Sequence, residues 1–452
     1  MKFLVYVLVL LTSCKALQDT GIKLKNFCYY TNWKTQSSDP DIRFDVEHID
    51  PSLCTHLLYA FANINERELK LHWSQQGDDN GKLGSEAAGR YYGFTDLKKR
   101  NAGLVTLLSI GGQTAESAGF IQIVQSEENM RQFAKNCIIF LRDRKFDGLD
   151  IDWEYPDNFK NKYTQFLEVM QHEFKAESMN EKKDKLLLTI AVSGGEELIN
   201  KSYNISEIDK HVDYILVMAY DFFGTWSTVA GFTAPLYSRK TNLNFNQAYS
   251  QDWAIRRWID GGAQADKLVL GLTGTALSYT LINSSRHDVG SPVSSTIGAN
   301  KQLTYYGLCK TVSEKWTKVW DEEQKMVYAY ADDQWIGYAN ATSMQEAVHY
   351  AYSQRLAGVM FWSLDIDDFN GAACNEGKYP LVSAIMKAIQ KESSIGNENS
   401  SVLQTQNVSS FTTKKDNRTR LYFVRNGAEN CYSSAVLLAW MCLCILVIAN
   451  IV

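Results

Sequence analysis

Three acidic residues alternate with apolar residues in one short segment of the chain. The segment 149–154 reads Leu-Asp-Ile-Asp-Trp-Glu, which has the period-two pattern of a β-strand. One face is therefore apolar, and the other carries Asp150, Asp152 and Glu154 with Cα atoms about 7 Å apart at two residues' rise. Because neighbouring carboxylates repel one another, at least one should hold a proton near neutral pH. A protonated acid beside an ionised one can cleave a glycosidic bond. A calcium-binding or merely solvated acidic strand is the alternative interpretation.

Asp147 extends this strand to the motif DxxDxDxE, which resembles the signature of family 18 glycoside hydrolases, the chitinases and chitinase-like lectins. The resemblance covers the chain from about Lys23 to Ile389, because four more segments match the family in the same order. They read Cys-Tyr-Tyr-Thr-Asn-Trp at 28–33, Ser-Ile-Gly-Gly at 109–112, Met-Ala-Tyr-Asp at 218–221 and Phe-Trp-Ser-Leu-Asp at 361–365. On these motifs the chain is identified as a member of the family.

The motif residues suggest a division of chemical roles. Glu154 is the predicted general acid and base, because the nearby Asp152 should raise its pKa. The resemblance implies substrate-assisted catalysis, in which the N-acetyl carbonyl of the −1 sugar attacks its own anomeric carbon and forms an oxazolinium ion. It further implies that Asp152 orients the acetamido N–H, that Asp150 shares a proton with Asp152, and that Tyr220 donates to the acetamido carbonyl. Asp147 is out of phase with the other acids, so we expect it to anchor the strand by hydrogen bonding.

A second set of residues is predicted to bind sugar. Asp221 follows Tyr220 and should contact the same sugar. Trp362 should form an apolar floor under the −1 ring, because sugar C–H faces stack well on indole. Core packing is the alternative role for Tyr220 and Trp362. The remaining predicted substrate-binding residues are Tyr29, Trp33, Phe61, Gly111, Gly112, Tyr155 and Met218.

Two segments depart from the family pattern. Gln113 follows Gly112 where the family usually has tryptophan, so one stacking platform is missing. The segment 270–279 lacks the Pro-Thr-Tyr-Gly-Arg run that is common in animal members. We therefore expect the groove to bind fewer sugars, or to bind them more weakly, at those subsites. Neither departure touches the proton transfer.

Short apolar runs that alternate with helix-like patterns predict an α/β fold, a (β/α)8 barrel. The predicted strands are Phe27–Tyr30, His56–Phe61, Val105–Ile110, Gly148–Asp152, Leu186–Val192, Tyr214–Met218, Leu268–Leu272 and Gly358–Trp362. The acids fall at the carboxyl end of the fourth strand, where this architecture gathers its sites. The gap from about Thr275 to Tyr350 is too long for a loop. Here the resemblance implies a small α+β insertion that forms one wall of a deep groove.

Both ends of the chain carry signals of export and attachment. Residues 1–16 are predicted to be a signal peptide, with a buried strand as the alternative. Residues 392–425, rich in Ser, Thr, Asn and Lys, are predicted to be a disordered stalk. Residues 426–452 have the layout of a lipid-anchor signal, with small residues from Asn426, a polar spacer and the apolar tail 435–452. Attachment at 433–435 and a retained membrane helix are the alternatives. The predicted N-glycosylation sites are Asn200, Asn204, Asn283, Asn340, Asn399, Asn407 and Asn417.

Nine cysteines occur in the sequence, and several fall in the segments predicted to be removed. Cys14 lies in the signal peptide, Cys442 and Cys444 lie in the tail, and Cys431 precedes the tail. A secreted protein should pair most of those that remain. The family resemblance implies the pairs Cys28–Cys54 and Cys309–Cys374. Cys137 lies in a helix-like pattern and is predicted to be a buried free thiol.

The predicted activity is that of an endo-acting chitinase that cleaves β-1,4-linked N-acetylglucosamine polymers with retention. The net charge of −5 includes no basic cluster, which argues against a nucleic-acid partner. We expect a monomer with no metal or other cofactor, at the extracellular face of the plasma membrane or secreted. A chitin-binding lectin is the first alternative, although such members usually replace the final acid, which here is Glu154. An endo-β-N-acetylglucosaminidase on glycoproteins is the second, and the aromatic-rich insertion favours a linear polymer over it.

Overall fold

A closed barrel of eight parallel strands dominates the computed structural model, which describes residues 23–39, 42–79, 89–115, 117–240, 247–296 and 298–408. The barrel strands are β1 Lys25–Thr31, β2 His56–Asn65, β4 Val105–Gly111, β5 Gly148–Asp152, β6 Leu187–Ser193, β7 Tyr214–Met218, β8 Leu268–Thr273 and β14 Gly358–Trp362. They follow one another in the order β1-β2-β4-β5-β6-β7-β8-β14, and β14 pairs with β1 to close the ring. A short strand, β3 Lys70–Trp73, pairs antiparallel with the extension of β2. The predicted (β/α)8 barrel is confirmed.

Helices occur between the strands, and most of them cover the outside of the barrel. They are α1 Arg90–Asp96, α2 Ala118–Ile123, α3 Glu127–Asp143, α4 Lys160–Glu181, α5 Glu196–Ser202, α6 Ile205–Ile208, α7 Gln251–Asp260, α8 Tyr305–Thr311, α9 Ala341–Ser353 and α10 Pro380–Val408. The sequence explains where α3 begins, because the Ser126 hydroxyl accepts a hydrogen bond from the Asn129 N–H at 3.1 Å. Glu127 and Glu128 then place negative charge near the positive end of the helix dipole.

The barrel interior is filled by side chains of alternate strand residues. Phe27 and Tyr29 of β1 pack there with Leu58, Leu107 and Met360 from other strands. The intervening residues of each strand face the helices and form the larger outer core. Because both faces of a parallel sheet are covered, the strands are apolar almost throughout and the acids of β5 are exceptions.

The predicted insertion is present between β8 and β14. It contains an antiparallel sheet in the order β10-β9-β13-β12-β11 together with α8. Its strands are β9 Ala276–Thr280, β10 Lys301–Leu303, β11 Thr317–Asp321, β12 Met326–Ala331 and β13 Gln334–Tyr338. Helix α9 follows this sheet and leads into β14, so the insertion ends near Tyr338 rather than at Tyr350.

The cysteine predictions agree with the structure. Disulfides join Cys28 to Cys54 and Cys309 to Cys374. Cys137 is a buried free thiol on α3. The first disulfide links β1 to the segment before β2, and the second links α8 of the insertion to the loop after β14.

The prediction of a disordered stalk from Glu392 is wrong for the part that the structure describes. Helix α10 continues through Val408. Its first turns are anchored by buried Leu381, Val382 and Ile385, and once a helix has begun, each further residue adds one backbone hydrogen bond. The rest of the predicted stalk, the signal peptide at 1–16, the candidate attachment site Asn426 and the tail 435–452 lie outside the described residues.

The sequons occupy different environments. Asn200 on α5 and Asn283 in the insertion are exposed, and Asn204 and Asn340 are half-buried at the starts of α6 and α9. Asn399 and Asn407 lie in α10, and Asn417 lies outside the described residues. Over the part of the chain that the structure describes, we find no helix both long enough and apolar enough to cross a membrane.

Candidate active site

The carboxyl ends of the parallel strands meet at one mouth of the barrel, and most of the predicted site residues gather there. Asp152 ends β5, and Glu154 follows it by two residues. Tyr220 comes two residues after the end of β7, and Trp362 ends β14. Three elements that are distant in sequence therefore supply the acids, the phenol and the indole. The barrel, not the local sequence, brings them together.

Asp150 is a fully buried carboxylate enclosed by hydroxyl groups. Its Oδ2 accepts hydrogen bonds from the Tyr29 hydroxyl at 2.8 Å and the Ser109 hydroxyl at 2.7 Å, and its Oδ1 accepts one from Thr189 at 2.6 Å. Burial raises the pKa of Asp150, whereas these three hydrogen bonds act in the opposite direction because they stabilise the anion. Three hydroxyl hydrogens point at this group, an arrangement suited to an anion and not to a calcium ligand.

Asp152 lies one step nearer the barrel mouth and has a different environment. It is 3% exposed, and its Oδ1 is buried without a hydrogen-bond partner among the described residues. Burial raises the pKa of Asp152 well above its usual value, and the negative charges of Glu154 and Asp150 add to the rise. Asp152 is therefore the group that most readily keeps a proton. The proton shared between Asp152 and Asp150 stays a prediction.

Glu154 is half-buried beyond the end of β5. Burial raises the pKa of Glu154, a hydrogen bond with Tyr155 opposes the rise, and the charge of Asp221 adds to it. A carboxyl group with a raised pKa can stay protonated at a pH where an ordinary glutamate is ionised, as a general acid must. The predicted substrate-binding residue Tyr155 is thus a direct neighbour of the acid and is itself half-buried.

Gly111 and Gly112 let the end of β4 pass close to the acids. Both have φ in the left-handed region, +108° and +84°. A Cβ on Gly111 would lie 2.0 Å from the Asp152 carbonyl oxygen, and one on Gly112 would lie 2.5 Å from the Phe61 ring. The Gly112 N–H donates to that same Asp152 carbonyl at 2.8 Å. These glycines therefore help to fix the backbone of the acidic strand, and Gln113 follows them with an exposed side chain.

Tyr220 and Asp221 face the acids from the end of β7. Tyr220 and Met218 are half-buried. Burial raises the pKa of Tyr220 well above 10, and the charge of Asp152 adds to the rise, so the phenol remains a donor. Asp221 is exposed, and its Oδ1 accepts a hydrogen bond from the Thr233 hydroxyl at 3.0 Å.

An aromatic cluster forms the floor next to the acids. Trp33 and Phe61 stack with ring centroids 6.0 Å apart, and Phe61 stacks on Trp362 at the same spacing. Trp33 is 39% exposed, so one face of this cluster is open to a ligand. Stacked rings of this kind are the surface on which sugar rings pack.

The prediction that Tyr29 lines the groove is wrong. Tyr29 is only 1% exposed, and its ring lies beside Trp362 with centroids 5.1 Å apart. Its position on β1 places it one layer below the barrel mouth, where its hydroxyl reaches Asp150. It can contribute through that hydrogen bond but cannot contact sugar in this arrangement.

Asp147 lies at the opposite end of β5. Its carboxylate accepts hydrogen bonds from the Lys98 ammonium at 2.9 Å and from the Thr106 N–H at 2.7 Å. These contacts join β5 to β4 and to the segment after α1. The predicted anchoring by hydrogen bonds agrees with this geometry.

Four residues of interest escaped the sequence analysis. Ser109 and Thr189 hold Asp150, and only the strand register that sets them beside it could reveal this. Trp73 and Trp226 are 42% and 65% exposed at the carboxyl side of the barrel. An exposed tryptophan leaves a large apolar surface in water, so both are candidate stacking platforms. Their flanking sequences carry no periodic signal that distinguishes them from core tryptophans.

The barrel, its buried acids and its open aromatic floor define a glycoside-hydrolase type of site. The chain belongs to the glycosyl hydrolases family 18, whose sequence profile matches residues 25–367. Human chitinase-3-like protein 2 is 34% identical over 383 residues, which cover 82% of this chain and 94% of that protein. The endochitinase of Brugia malayi is 33% identical over 390 residues, covering 84% of this chain and 76% of that protein.

Similarity to solved structures gives the same assignment. Human YKL-39, described as a pseudo-chitinase with retained chitooligosaccharide binding properties, superposes with a TM-score of 0.74 at 32% identity. The match covers 81% of this chain and all of that one. The family therefore contains both a protein named as an endochitinase and a protein described as a pseudo-chitinase.

Proposed function

We propose that the protein is an endo-acting chitinase that hydrolyses β-1,4-linked N-acetylglucosamine polymers with retention of configuration. The observation that carries the proposal is Glu154, a half-buried carboxyl group with a raised pKa beside the buried Asp152. The pair supplies a proton donor and a second carboxyl group at the mouth of the barrel. The aromatic floor formed by Trp33, Phe61 and Trp362 supports the choice of a sugar polymer as substrate.

The first chemical step breaks the glycosidic bond. Glu154 donates its proton to the glycosidic oxygen, which leaves with the bonding electron pair. At the same time the acetamido oxygen of the −1 sugar forms a bond to the anomeric carbon, giving an oxazolinium ion. Tyr220 donates a hydrogen bond to that oxygen, and Asp152 accepts one from the acetamido N–H. The three hydroxyls around Asp150 stabilise its negative charge, which leaves the proton on Asp152 during the step.

The second step returns the site to its starting state. A water molecule attacks the anomeric carbon, the bond to the acetamido oxygen breaks, and the proton of the water passes to the Glu154 carboxylate. The anomeric carbon is inverted twice, so the product keeps the β configuration. No covalent bond to the protein is formed in this scheme.

A chitin-binding lectin is the second candidate, and two observations favour it. A relative of similar fold is described as a pseudo-chitinase with retained chitooligosaccharide binding, and Gln113 stands where a stacking platform is expected. The presence of Glu154 favours the enzyme, because family lectins usually replace this acid. An endo-β-N-acetylglucosaminidase would use the same acids on a different aglycone.

The three functions predict different products from the same substrates. The purified protein should release shorter oligosaccharides from an N-acetylglucosamine hexamer, with the β-anomer first in the proton NMR spectrum. It should not cleave the fully deacetylated hexamer, which lacks the attacking carbonyl. Binding of the acetylated hexamer without release would identify a lectin. Release of glycans from a glycoprotein in preference to hexamer cleavage would identify the endo-β-N-acetylglucosaminidase.

We further propose attachment to the outer face of the plasma membrane, on the sequence of 426–452 alone. Small residues from Asn426, a polar spacer and the apolar run 435–452 support a lipid anchor. Phosphatidylinositol-specific phospholipase should then release active protein from cells that express the full chain. Protein that stays bound after this treatment, and is freed only when 435–452 are deleted, would indicate a retained membrane helix.

A further inference from the structure

A second buried carboxylate, Asp78, lies outside the acidic strand and takes no part in the proposed chemistry. It follows β3 and is completely buried. Its Oδ1 accepts hydrogen bonds from the Tyr59 hydroxyl at 2.6 Å and from Arg90 Nη1 at 3.1 Å. Its Oδ2 accepts from the Asn32 amide at 2.8 Å and from the Gln75 N–H at 2.9 Å. We call Asp78 and these four donors the Asp78 cluster.

The cluster joins elements that are far apart in sequence. Asn32 follows β1, Tyr59 lies on β2, Gln75 follows β3, and Arg90 begins α1. Arg90 is the counter-ion that makes burial of this charge tolerable. The buried carboxylate of Asp78 therefore holds four segments of the chain at one point.

The segments held by the cluster carry three aromatic side chains, of which Trp33 and Trp73 are exposed and Phe61 is half-buried. Trp33 is the residue after Asn32. The Asn32 amide nitrogen also lies 3.1 Å from the Phe61 carbonyl oxygen and 2.7 Å from the Ser74 hydroxyl oxygen, so its two N–H groups serve three acceptors, with one hydrogen shared. Ser74 follows Trp73 and in turn donates to the Phe61 carbonyl. One amide group, oriented by Asp78, therefore links the backbones that carry three aromatic rings.

We infer that Asp78 is a positioning residue for sugar binding, which fixes Trp33, Phe61 and Trp73 as one stacking surface through the Asn32 amide. The inference rests on the proposed function for its ligand, a chain of N-acetylglucosamine. A rigid arrangement matters because stacked contacts weaken when rings shift by a fraction of an ångström. The acids of β5 do not belong to the cluster, so its effect is on binding and not on proton transfer.

Asp78→Asn tests the inference with little change in shape. All four partners of Asp78 are donors, so the new amide group of asparagine must face at least one donor and break its hydrogen bond. We expect the KM for the N-acetylglucosamine hexamer to rise about tenfold, equivalent to about 1.4 kcal/mol, with kcat within about twofold of wild type. The same rise should appear in the Kd for the hexamer measured in Glu154→Gln protein, which does not consume the ligand.

Asp209→Asn is the matched control. Asp209 is also buried and accepts hydrogen bonds from the Gln264 N–H at 3.0 Å and the Gln264 amide at 2.6 Å. It precedes β7 and so lies at the amino end of the barrel, opposite the groove. This variant should lose stability but keep the wild-type KM and Kd.

The outcomes separate the inference from the proposed function. An unchanged KM and Kd in Asp78→Asn, or an equal rise in Asp209→Asn, would overturn the inference. If wild type binds the hexamer but cleaves nothing, the chitinase proposal fails and the Kd comparison still decides the inference. If Asp78→Asn does not fold, Ser74→Ala removes one link from the half-buried Ser74 and should raise the Kd about threefold, again at constant kcat. No rise in that variant would overturn the inference.

Discussion

Removal of the Tyr29 hydroxyl tests whether the proton of the acidic strand resides on Asp152 and not on Asp150. This hydroxyl donates to Asp150 Oδ2 at 2.8 Å inside the barrel. Tyr29→Phe keeps the ring, its packing against Trp362 and its volume. The single loss is one of three hydrogen bonds that stabilise the Asp150 anion.

The expected fall in kcat can be calculated from the lost hydrogen bond, because a hydrogen bond to a charged group contributes about 1.5–3 kcal/mol. Without it the pKa of Asp150 rises further, and Asp150 competes with Asp152 for the proton that the reaction needs on Asp152. If the whole loss appeared in the transition state, kcat would fall about 10–150-fold. Because Ser109 and Thr189 still donate to Asp150, we expect a fall of about tenfold, with KM little changed.

Tyr29→Phe should also make folding stability depend more strongly on pH. The folded protein already holds a proton on Asp150 to a higher pH than the unfolded chain does, since burial raises the pKa of this group. Stability from this group therefore decreases as pH rises above the ordinary aspartate range, and Tyr29→Phe makes the decrease steeper. Urea unfolding should show a larger loss at pH 8 than at pH 4.

Tyr30→Phe is the control. Tyr30 is the next residue on β1, and its hydroxyl also donates a hydrogen bond to an aspartate, Asp45, at 3.2 Å, which the variant loses. It faces the outer core, away from the acids. Both variants should lose stability, but only Tyr29→Phe should lose kcat. Equal kcat values in the two variants would refute the assignment of the proton to Asp152.

Three further predictions concern the groove rim, the general acid and the barrel base. Gln113→Trp should lower the KM for long oligosaccharides more than for short ones, since a stacked indole adds about 1–3 kcal/mol of binding; a KM scaled equally at all lengths would show that residue 113 does not face the groove. Asp221→Asn removes a charge that raises the pKa of Glu154, so the alkaline limb of the kcat/KM profile should move to lower pH, and a shift the other way would contradict the assignment of Glu154 as the acid. Burial lowers the pKa of His56 to about 3, so the wild-type protein should lose folding stability as pH falls below 6.5. His56→Gln should lose roughly 1.5–2 kcal/mol less stability than wild type between pH 6.5 and pH 5. Parallel stability profiles of the two proteins would count against a neutral buried His56.

The sequence predicts the elements well where one physical signal dominates. Short apolar runs locate the eight barrel strands, because a parallel strand that is covered on both faces must be apolar almost throughout. The acidic segment of β5 is recognisable because three carboxyl groups in a barrel strand have no structural explanation. Disulfide pairing came from the family resemblance and not from spacing.

Depth within the barrel is what the sequence does not reveal. The alternation along β1 indicates that Tyr29 points inward, but the stagger between neighbouring strands decides which layer it reaches. For this reason the sequence predicts Tyr29 in the groove, whereas the structure places it beside Asp150. The same stagger brings Ser109 and Thr189 to Asp150, and the Asp78 cluster depends on a strand pair and a helix start that no local pattern connects. Helix α10 extends past Glu392, where the polar composition predicts disorder. We attribute the extension to the buried first turns of the helix, which composition alone does not take into account.

The most direct test of the central claim compares wild type with Glu154→Gln on the N-acetylglucosamine hexamer. The amide keeps the shape of the side chain but cannot donate the catalytic proton. General acid catalysis contributes about 10²–10⁴-fold, so kcat should fall by that factor. The Glu154→Gln protein should still bind the hexamer in calorimetry, because the amide leaves the aromatic floor unchanged. Equal rates of oligosaccharide release by the two proteins would contradict the account.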